Sequence, residues 1–395
     1  MSIMRSRISH RTVIVLAVAL LALFVPAESR AAAPDRLSQL QRDADALRDD
    51  GITGVSVRLE TPHGVWTVRS GVGDLSTGQP VATDGYVRIG STTKTFVAAV
   101  LLQLAGKGRL SLDDTVDTWL PGLVRGHGHG NDGHRVTLRQ LLQHTSGLPD
   151  YIGDVVPDLS AAGYLANRWT TYTSRQRVAL AMKHQPSFAP GAGWEYSNTN
   201  YVLLGMVIKA VTGHSWEYEV RARILHPLRL TRTLTPSNWP FLPGPHARDY
   251  QQFEPGGAMT DTTVAYLPFD ADADGSMIST AADTSRFFTA LVQGRLLPPT
   301  QQAEMQRTVE VPADRGFPPG TRDGLGLFWA PLSCGGGYWG HSGDGFGYLV
   351  WPATTPDGRT IVTVSLHSRP GDESSATRQI QDVTALVDRA LCSAR

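Results

Sequence analysis

Residues 88–108 read RIGSTTKTFVAAVLLQLAGKG. From Phe96 to Leu104 nearly every position is apolar, so a helix through this stretch has no polar face to offer water and must run through a core. Ser91 and Lys94 stand at its mouth, three residues apart and therefore on one helical face. Two readings are open: a hydroxyl with its base, or a capping serine with a solvated amine. Only four of the 36 basic residues are lysines, and of the four Lys94 alone has a serine three positions before it.

Upstream, GVSVRLETPHGVWTVRSGVG (54–73) alternates β-branched and polar residues around a Pro-His-Gly turn, the pattern of a hairpin. Before it, Leu37, Leu40, Ala44 and Leu47 form one helical stripe that stops at Gly51. Downstream, TLRQLLQHTSGL (137–148) has Thr137 as an N-cap and Gly147 as a stop, and NTNYVLLGMVIKAVTG (198–213) runs to Gly213. From Gly324 onward three β-rich runs return, the last two joined by the turn TTPDGRT (354–360). An amphipathic helix follows from about Ala376 to Leu391. Strands at both ends with helices between them predict one antiparallel sheet closed by the two termini, with a helical lobe inserted. The sheet lobe is expected over about 34–90 and 320–395, and the helical lobe over about 91–319.

The 395 residues carry 36 acidic and 36 basic side chains, so no net charge steers the chain toward nucleic acid or an anionic membrane. Arg5, Arg7 and Arg11 precede the apolar run VIVLAVALLALFV (13–25), which Pro26 and the small residues of AESRAAAP follow. This pattern predicts a secretory leader over residues 1–33, cleaved near Ala31 to Ala33, and a secreted mature chain over 34–395 without a membrane span. Cys334 and Cys392 are the two cysteines, and in an exported chain an even count favours a disulfide, which would stabilise the fold by roughly 4 kcal/mol.

A hydroxyl attacks a carbonyl poorly unless a base lies within hydrogen-bond reach and donors receive the developing oxyanion. Two further stretches supply candidates. In PGAGWEYSNTNY (190–201), Tyr196 and Asn198 alternate around Ser197. A tyrosine beside a cationic lysine is favoured as phenolate and would accept the serine proton, while the asparagine amide would hold the lysine or a substrate carbonyl. In GHSGDG (340–345), His341, Ser342 and Gly343 are expected on a strand before a glycine-rich bend. The amide of Asp344 could there pair with that of Ser91 as an oxyanion hole. Taken singly, each stretch is explained by a turn and a helix cap.

Together and in this order, the three stretches resemble the penicillin-recognising serine hydrolases, the superfamily of serine β-lactamases and D-alanyl-D-alanine carboxypeptidases. The likeness is closest to the class C β-lactamase and secreted carboxypeptidase branch. GYVRIGSTTKTF (85–96), LLQHTSGLPDY (141–151), PGAGWEYSNTNYVLLGMVI (190–208) and LSCGGGYWGHSG (332–343) carry it, together with the final cysteine. It implies a two-lobed α/β fold of the β-lactamase/transpeptidase type, with a five-stranded antiparallel sheet flanked by terminal helices and a helical lobe. It implies Ser91 as the acylated nucleophile and Lys94 and Tyr196 as the proton relay. Asn198, His341, Ser342, Gly343, Asp344 and the position of Phe328 would face the substrate. The implied activity is that of a D-alanyl-D-alanine carboxypeptidase-like, penicillin-binding enzyme without metal or organic cofactor. Its substrates would be small peptides, esters or β-lactams, among them cell-wall stem peptides. A related esterase or D-amino-acid-peptide hydrolase, and a penicillin-binding receptor without turnover, are the alternatives.

Two positions depart from that pattern. Phe328 follows GLGL where carboxypeptidases of this type have an arginine for the substrate's terminal carboxylate, and Asp344 follows the third motif where threonine is usual. Two carboxylates a few ångströms apart without a cation repel by on the order of 1 to 4 kcal/mol, so a neutral or cationic acyl donor is expected unless Arg322 or Arg286 supplies the missing charge. His127, His129, Asp132 and His134 share a glycine-rich loop that reads as solvated rather than zinc-binding. DADADG (270–275) lacks the downstream glutamate of a calcium loop and reads as a polar loop near the cleft. His144 reads as a buried structural histidine. No G-x-S-x-G elbow is present.

Overall fold

The apolar stretch forms the helix Thr93–Gly106, and Phe96 through Leu102 are fully withdrawn from water. A single 3₁₀ turn, Gly90–Thr92, leads into it, and neither turn nor helix has a side-chain cap at its start. The helix Asn198–Thr212 packs against it and ends where Gly213 takes a left-handed φ of 81°. Phe96 stacks on Phe287 of the helix Ala281–Val292, ring centroids 3.5 Å apart. The computed structural model describes residues 27–126, 130–156, 158–265 and 272–393. The apolar run of the expected leader, His127, His129 and Asp270 lie outside the described residues.

The main sheet is antiparallel and has ten strands among the described residues, not five. Four of the ten, Gln79–Pro80, Val309–Glu310, Arg322–Asp323 and Gly343–Gly345, have two or three residues each, too few to show an alternating pattern. Val309–Glu310 also extends the sheet upstream of the expected boundary at residue 320.

The two ends of the chain meet in mid-sheet, where Gly54–Thr61 pairs with Ile361–Leu366 and Val57 faces Val364. Ile361–Leu366 and its neighbour Tyr348–Thr354 are buried at every position, because both faces of the sheet are covered. The terminal helices Ala27–Asp49 and Glu373–Cys392 cover one face with Leu40, Leu47, Val383, Leu386 and Val387. Each such buried aliphatic side chain contributes roughly 1.5–3 kcal/mol of transfer free energy. On the other face Ala281–Val292 packs against the same strands, with Ser285 Oγ 3.0 Å from Thr363 Oγ1. Cys334 and Cys392 form the expected disulfide, with Cα atoms 5.8 Å apart.

Candidate active site

Ser91 sits in the 3₁₀ turn that feeds the buried helix, one turn before Lys94. Lys94 is fully buried, and its Nζ contacts Ser91 Oγ at 2.8 Å, Asn198 Oδ1 at 2.7 Å and the Asp274 carbonyl oxygen at 2.6 Å. The serine therefore faces the amine rather than capping a helix. Asn198 is the first residue of its own helix. Its amide nitrogen donates to Asp150 Oδ2 at 2.8 Å and its backbone N–H to the same oxygen at 3.1 Å, which fixes the amide oxygen toward Lys94.

Tyr196 is part-buried by surface, with its hydroxyl enclosed; Lys94 Nζ lies 5.0 Å from the centre of its ring. His144 stacks on that ring, centroids 4.2 Å apart and 28° from parallel. The Nδ1 of His144 accepts from the Ser197 backbone N–H at 3.1 Å, so this nitrogen carries no proton and the ring is neutral. Burial, followed by the charge of Lys94, pushes the His144 pKa well below its ordinary value. The phenolate expectation for Tyr196 is corrected here. Burial pushes its pKa well above the ordinary phenol value, only partly opposed by the Ser91 hydroxyl. The resting tyrosine is a neutral hydroxyl with no well-directed hydrogen-bond partner.

The third stretch closes the site from the sheet side. Thr92 Oγ1 donates to the His341 carbonyl at 2.7 Å. A Cβ on Gly343 would lie 1.9 Å from the Ile89 carbonyl oxygen and 2.8 Å from the Ser91 nitrogen, so only glycine allows the strand to come this close. Gly90, at a φ of +46°, has room for a Cβ only 2.9 Å from the Asp344 nitrogen. The amides of Ser91 and Asp344 are thereby brought to one place, where they can receive an oxyanion. His341 and Ser342 lie between the strands Gly337–Gly340 and Gly343–Gly345 rather than on one. The Nδ1 of His341 donates to the Ser342 carbonyl at 2.7 Å, and burial pushes its pKa down to about 3, so it is neutral.

Ser91, Tyr196, Asn198 and Asp344 line one cleft of about 360 Å³. Phe328, His341 and Ser342 do not line it but border a separate hollow of about 20 Å³. There the Phe328 ring meets His341 edge-on at 4.9 Å and packs among Phe317 and Trp194. Neither arginine considered from sequence reaches the cleft: Arg322 bonds Thr308 and Arg286 bonds the Arg229 carbonyl. The cation that does line it is Arg369, whose Nη2 lies 3.7 Å from Asp344 Oδ2. The carboxylate at 344 is thus not left without a counter-charge.

Sequence reasoning missed Arg369 as a cleft residue, because nothing in its neighbours marks it. It also missed Asp150, although LLQHTSGLPDY contains it. The described part of the DADADG segment, residues 272–275, is corrected from a polar loop to buried support. Asp272 and Asp274 are withdrawn from water, Asp274 accepts from the Tyr151 hydroxyl at 2.7 Å, and burial pushes its pKa up to about 6. No group of acidic, histidine or cysteine side chains among the described residues is arranged to hold a metal ion. Nor is any helix among them long and apolar enough to cross a membrane.

A family model described as Beta-lactamase matches residues 38–385. A D-stereospecific amidohydrolase from Streptomyces sp. superposes with a TM-score of 0.80 at 37% identity, covering 90% of this chain and 98% of that one. The D-amino acid amidase from Ochrobactrum anthropi SV3, complexed with L-phenylalanine amide, superposes at 0.78 with 28% identity over 91% of this chain and 98% of the other. Penicillin-binding protein 4* of Bacillus subtilis is 30% identical over 239 residues, 56% of this chain and 48% of that protein. The chain spans about half the length of the first curated relatives it matches.

Proposed function

The chain belongs to the beta-lactamase family, and we propose that it is a serine hydrolase that cleaves small amides through an acyl-enzyme on Ser91. The observation that carries this reading is the environment of Lys94 Nζ. Two of its contacts, the Asn198 amide oxygen and the Asp274 carbonyl, are pure acceptors and each require an N–H. The 2.8 Å contact to Ser91 Oγ is the one that can reverse: an ammonium donates there, and a neutral amine accepts the serine proton.

In the proposed cycle Ser91 Oγ attacks the substrate carbonyl as its proton passes to Lys94. The carbonyl oxygen becomes an oxyanion between the amides of Ser91 and Asp344. The neutral Tyr196 hydroxyl protonates the leaving nitrogen as the C–N bond breaks, and the phenolate so formed recovers its proton from Lys94. Water then attacks the ester, giving one proton back to Ser91 and releasing the acid. His144 holds the tyrosine ring, and Asp150 holds Asn198.

Similarity to the Streptomyces amidohydrolase and the Ochrobactrum amidase supports amides as substrates. A second reading, a carboxypeptidase that accepts peptides and is acylated by penicillin, is favoured by the similarity to penicillin-binding protein 4* and by a cation, Arg369, in the cleft. Export behind a leader over residues 1–33 belongs to the same proposal, and the disulfide supports it.

The test is mass spectrometry and turnover with wild type and S91A. Wild type should hydrolyse amino-acid amides and take up a fluorescent penicillin on Ser91, whereas S91A should lose at least about a thousandfold in kcat and form no adduct. Undiminished hydrolysis by S91A would overturn the assignment of the nucleophile.

A further inference from the structure

The two charges at the lip of the cleft are held on fixed backbone. Asp344 lies on the strand Gly343–Gly345, which pairs with Tyr348–Thr354. Arg369 lies on Ser368–Arg369, which runs parallel to Tyr250–Gln252 with Gln251 as its partner. The Gln251 side chain ties the two segments together, accepting from the Gly347 N–H at 3.0 Å and donating to the Pro370 carbonyl at 3.3 Å. One arm of the Arg369 guanidinium is bonded to Gln379, and the other faces Asp344 at 3.7 Å. The arginine side chain is 15% exposed and the aspartate 55% exposed. The contact is therefore loose on the carboxylate side, where a substrate arrives, and anchored on the guanidinium side.

We propose that Asp344 and Arg369 form a charge selector that accepts the free ammonium group of an α-amino amide. This rests on the amidohydrolase reading above and names its substrate class. The Asp344 backbone N–H stands at the oxyanion position, so its side chain lies within about one residue of the scissile carbonyl, the distance of an α-substituent. A substrate ammonium donates to the carboxylate from the open side, while Arg369, 3.7 Å away, limits how strongly the carboxylate holds any cation. Ile152, Val156, Leu159 and Phe346 line the same cleft. Leu159 is 66% exposed, so this apolar wall has room to cover a hydrophobic substrate side chain. The selected substrate is the amide of a hydrophobic amino acid with its amine unblocked. A substrate bearing a carboxylate beside the scissile bond meets Asp344 first and is refused. Without the aspartate, the same site presents Arg369 and takes a carboxylate.

The experiment compares kcat/KM for phenylalanine amide, its N-acetyl form and an N-acetylated dipeptide with a free C-terminal carboxylate, in wild type, D344N and R369Q. D344N should lower the ratio of free-amine to N-acetyl amide about tenfold, mainly through KM, and raise relative activity on the carboxylate peptide. R369Q should move both ratios the opposite way by a few-fold. Ratios unchanged in both variants would overturn the selector while leaving the amidohydrolase reading intact. Failure of wild type to turn over either amide, with S91-dependent hydrolysis of the carboxylate peptide, would overturn the amide reading itself.

Discussion

Behind Lys94, Asp274 uses its two ends differently: the backbone oxygen accepts from the amine, and the carboxyl accepts from Tyr151 while its other oxygen has no hydrogen-bond partner. Burial, only partly opposed by Lys94 and Arg177, pushes this carboxyl up to about 6. A raised folded pKa means that the folded chain keeps a proton the unfolded chain releases. The associated stability is full below the unfolded value near 3.8 and is lost as pH rises through about 6. The loss is bounded by about 3 kcal/mol. In urea titrations between pH 4 and 7, wild type should therefore lose stability relative to D274N, which cannot titrate there; a difference that stays flat with pH would show that the site does not hold the proton. The same contrast marks what could be read in advance at this scale. Ser91 with Lys94 was legible because helical spacing alone brings i and i+3 together. The charge state of Tyr196 was not, because it depends on what encloses the ring. Arg369 was not legible either, because it reaches the cleft through a parallel pairing with Gln251 that lies 118 positions away and has no local pattern.

Elements position the site through two close approaches. The buried helix was legible from composition, as were the hairpin after Gly54, the Thr137 cap and the helix that stops at Gly213. The short strands were not, since two residues cannot alternate, yet Gly343–Gly345 brings the Asp344 amide against the turn that holds Ser91. Its closeness to the turn of the proposed nucleophile makes Gly343→Ala a direct probe. The new methyl would collide with the Ile89 carbonyl oxygen, and backbone on both sides leaves no flexible side chain to yield. The strand must retreat from Ser91, and the two amides separate. The expected result is a fall in kcat of about a hundredfold or more, with the far-UV circular dichroism of the sheet retained. A variant with native kcat would show that the Asp344 amide is not needed at its observed place.

For the molecule as a whole, the consequence of closing one sheet with both chain ends is that the turn holding Ser91 hangs from a layer assembled late in sequence. Gly54–Thr61 has no partner on one side until Ile361–Leu366 is in place, and the C-terminal helix then seals the layer. The disulfide acts on that last step. Cys334 follows the strand Phe328–Pro331 and Cys392 ends the helix Glu373–Cys392, 58 positions on. Beside it the Ser333 N–H donates to Asp388 Oδ1 at 2.7 Å. Cross-linking a loop of that length lowers the entropy of the unfolded chain by an amount worth about 4 kcal/mol. Neither cysteine lines the cleft, so the bridge stabilises the layer without touching the chemistry. The double variant C334S/C392S should thus unfold at lower urea, by about 4 kcal/mol in free energy, and hydrolyse its substrate normally while folded. Should its kcat fall in proportion to its stability well below the unfolding midpoint, the sealed layer and the turn holding Ser91 are coupled more tightly than the separation of bridge and cleft allows.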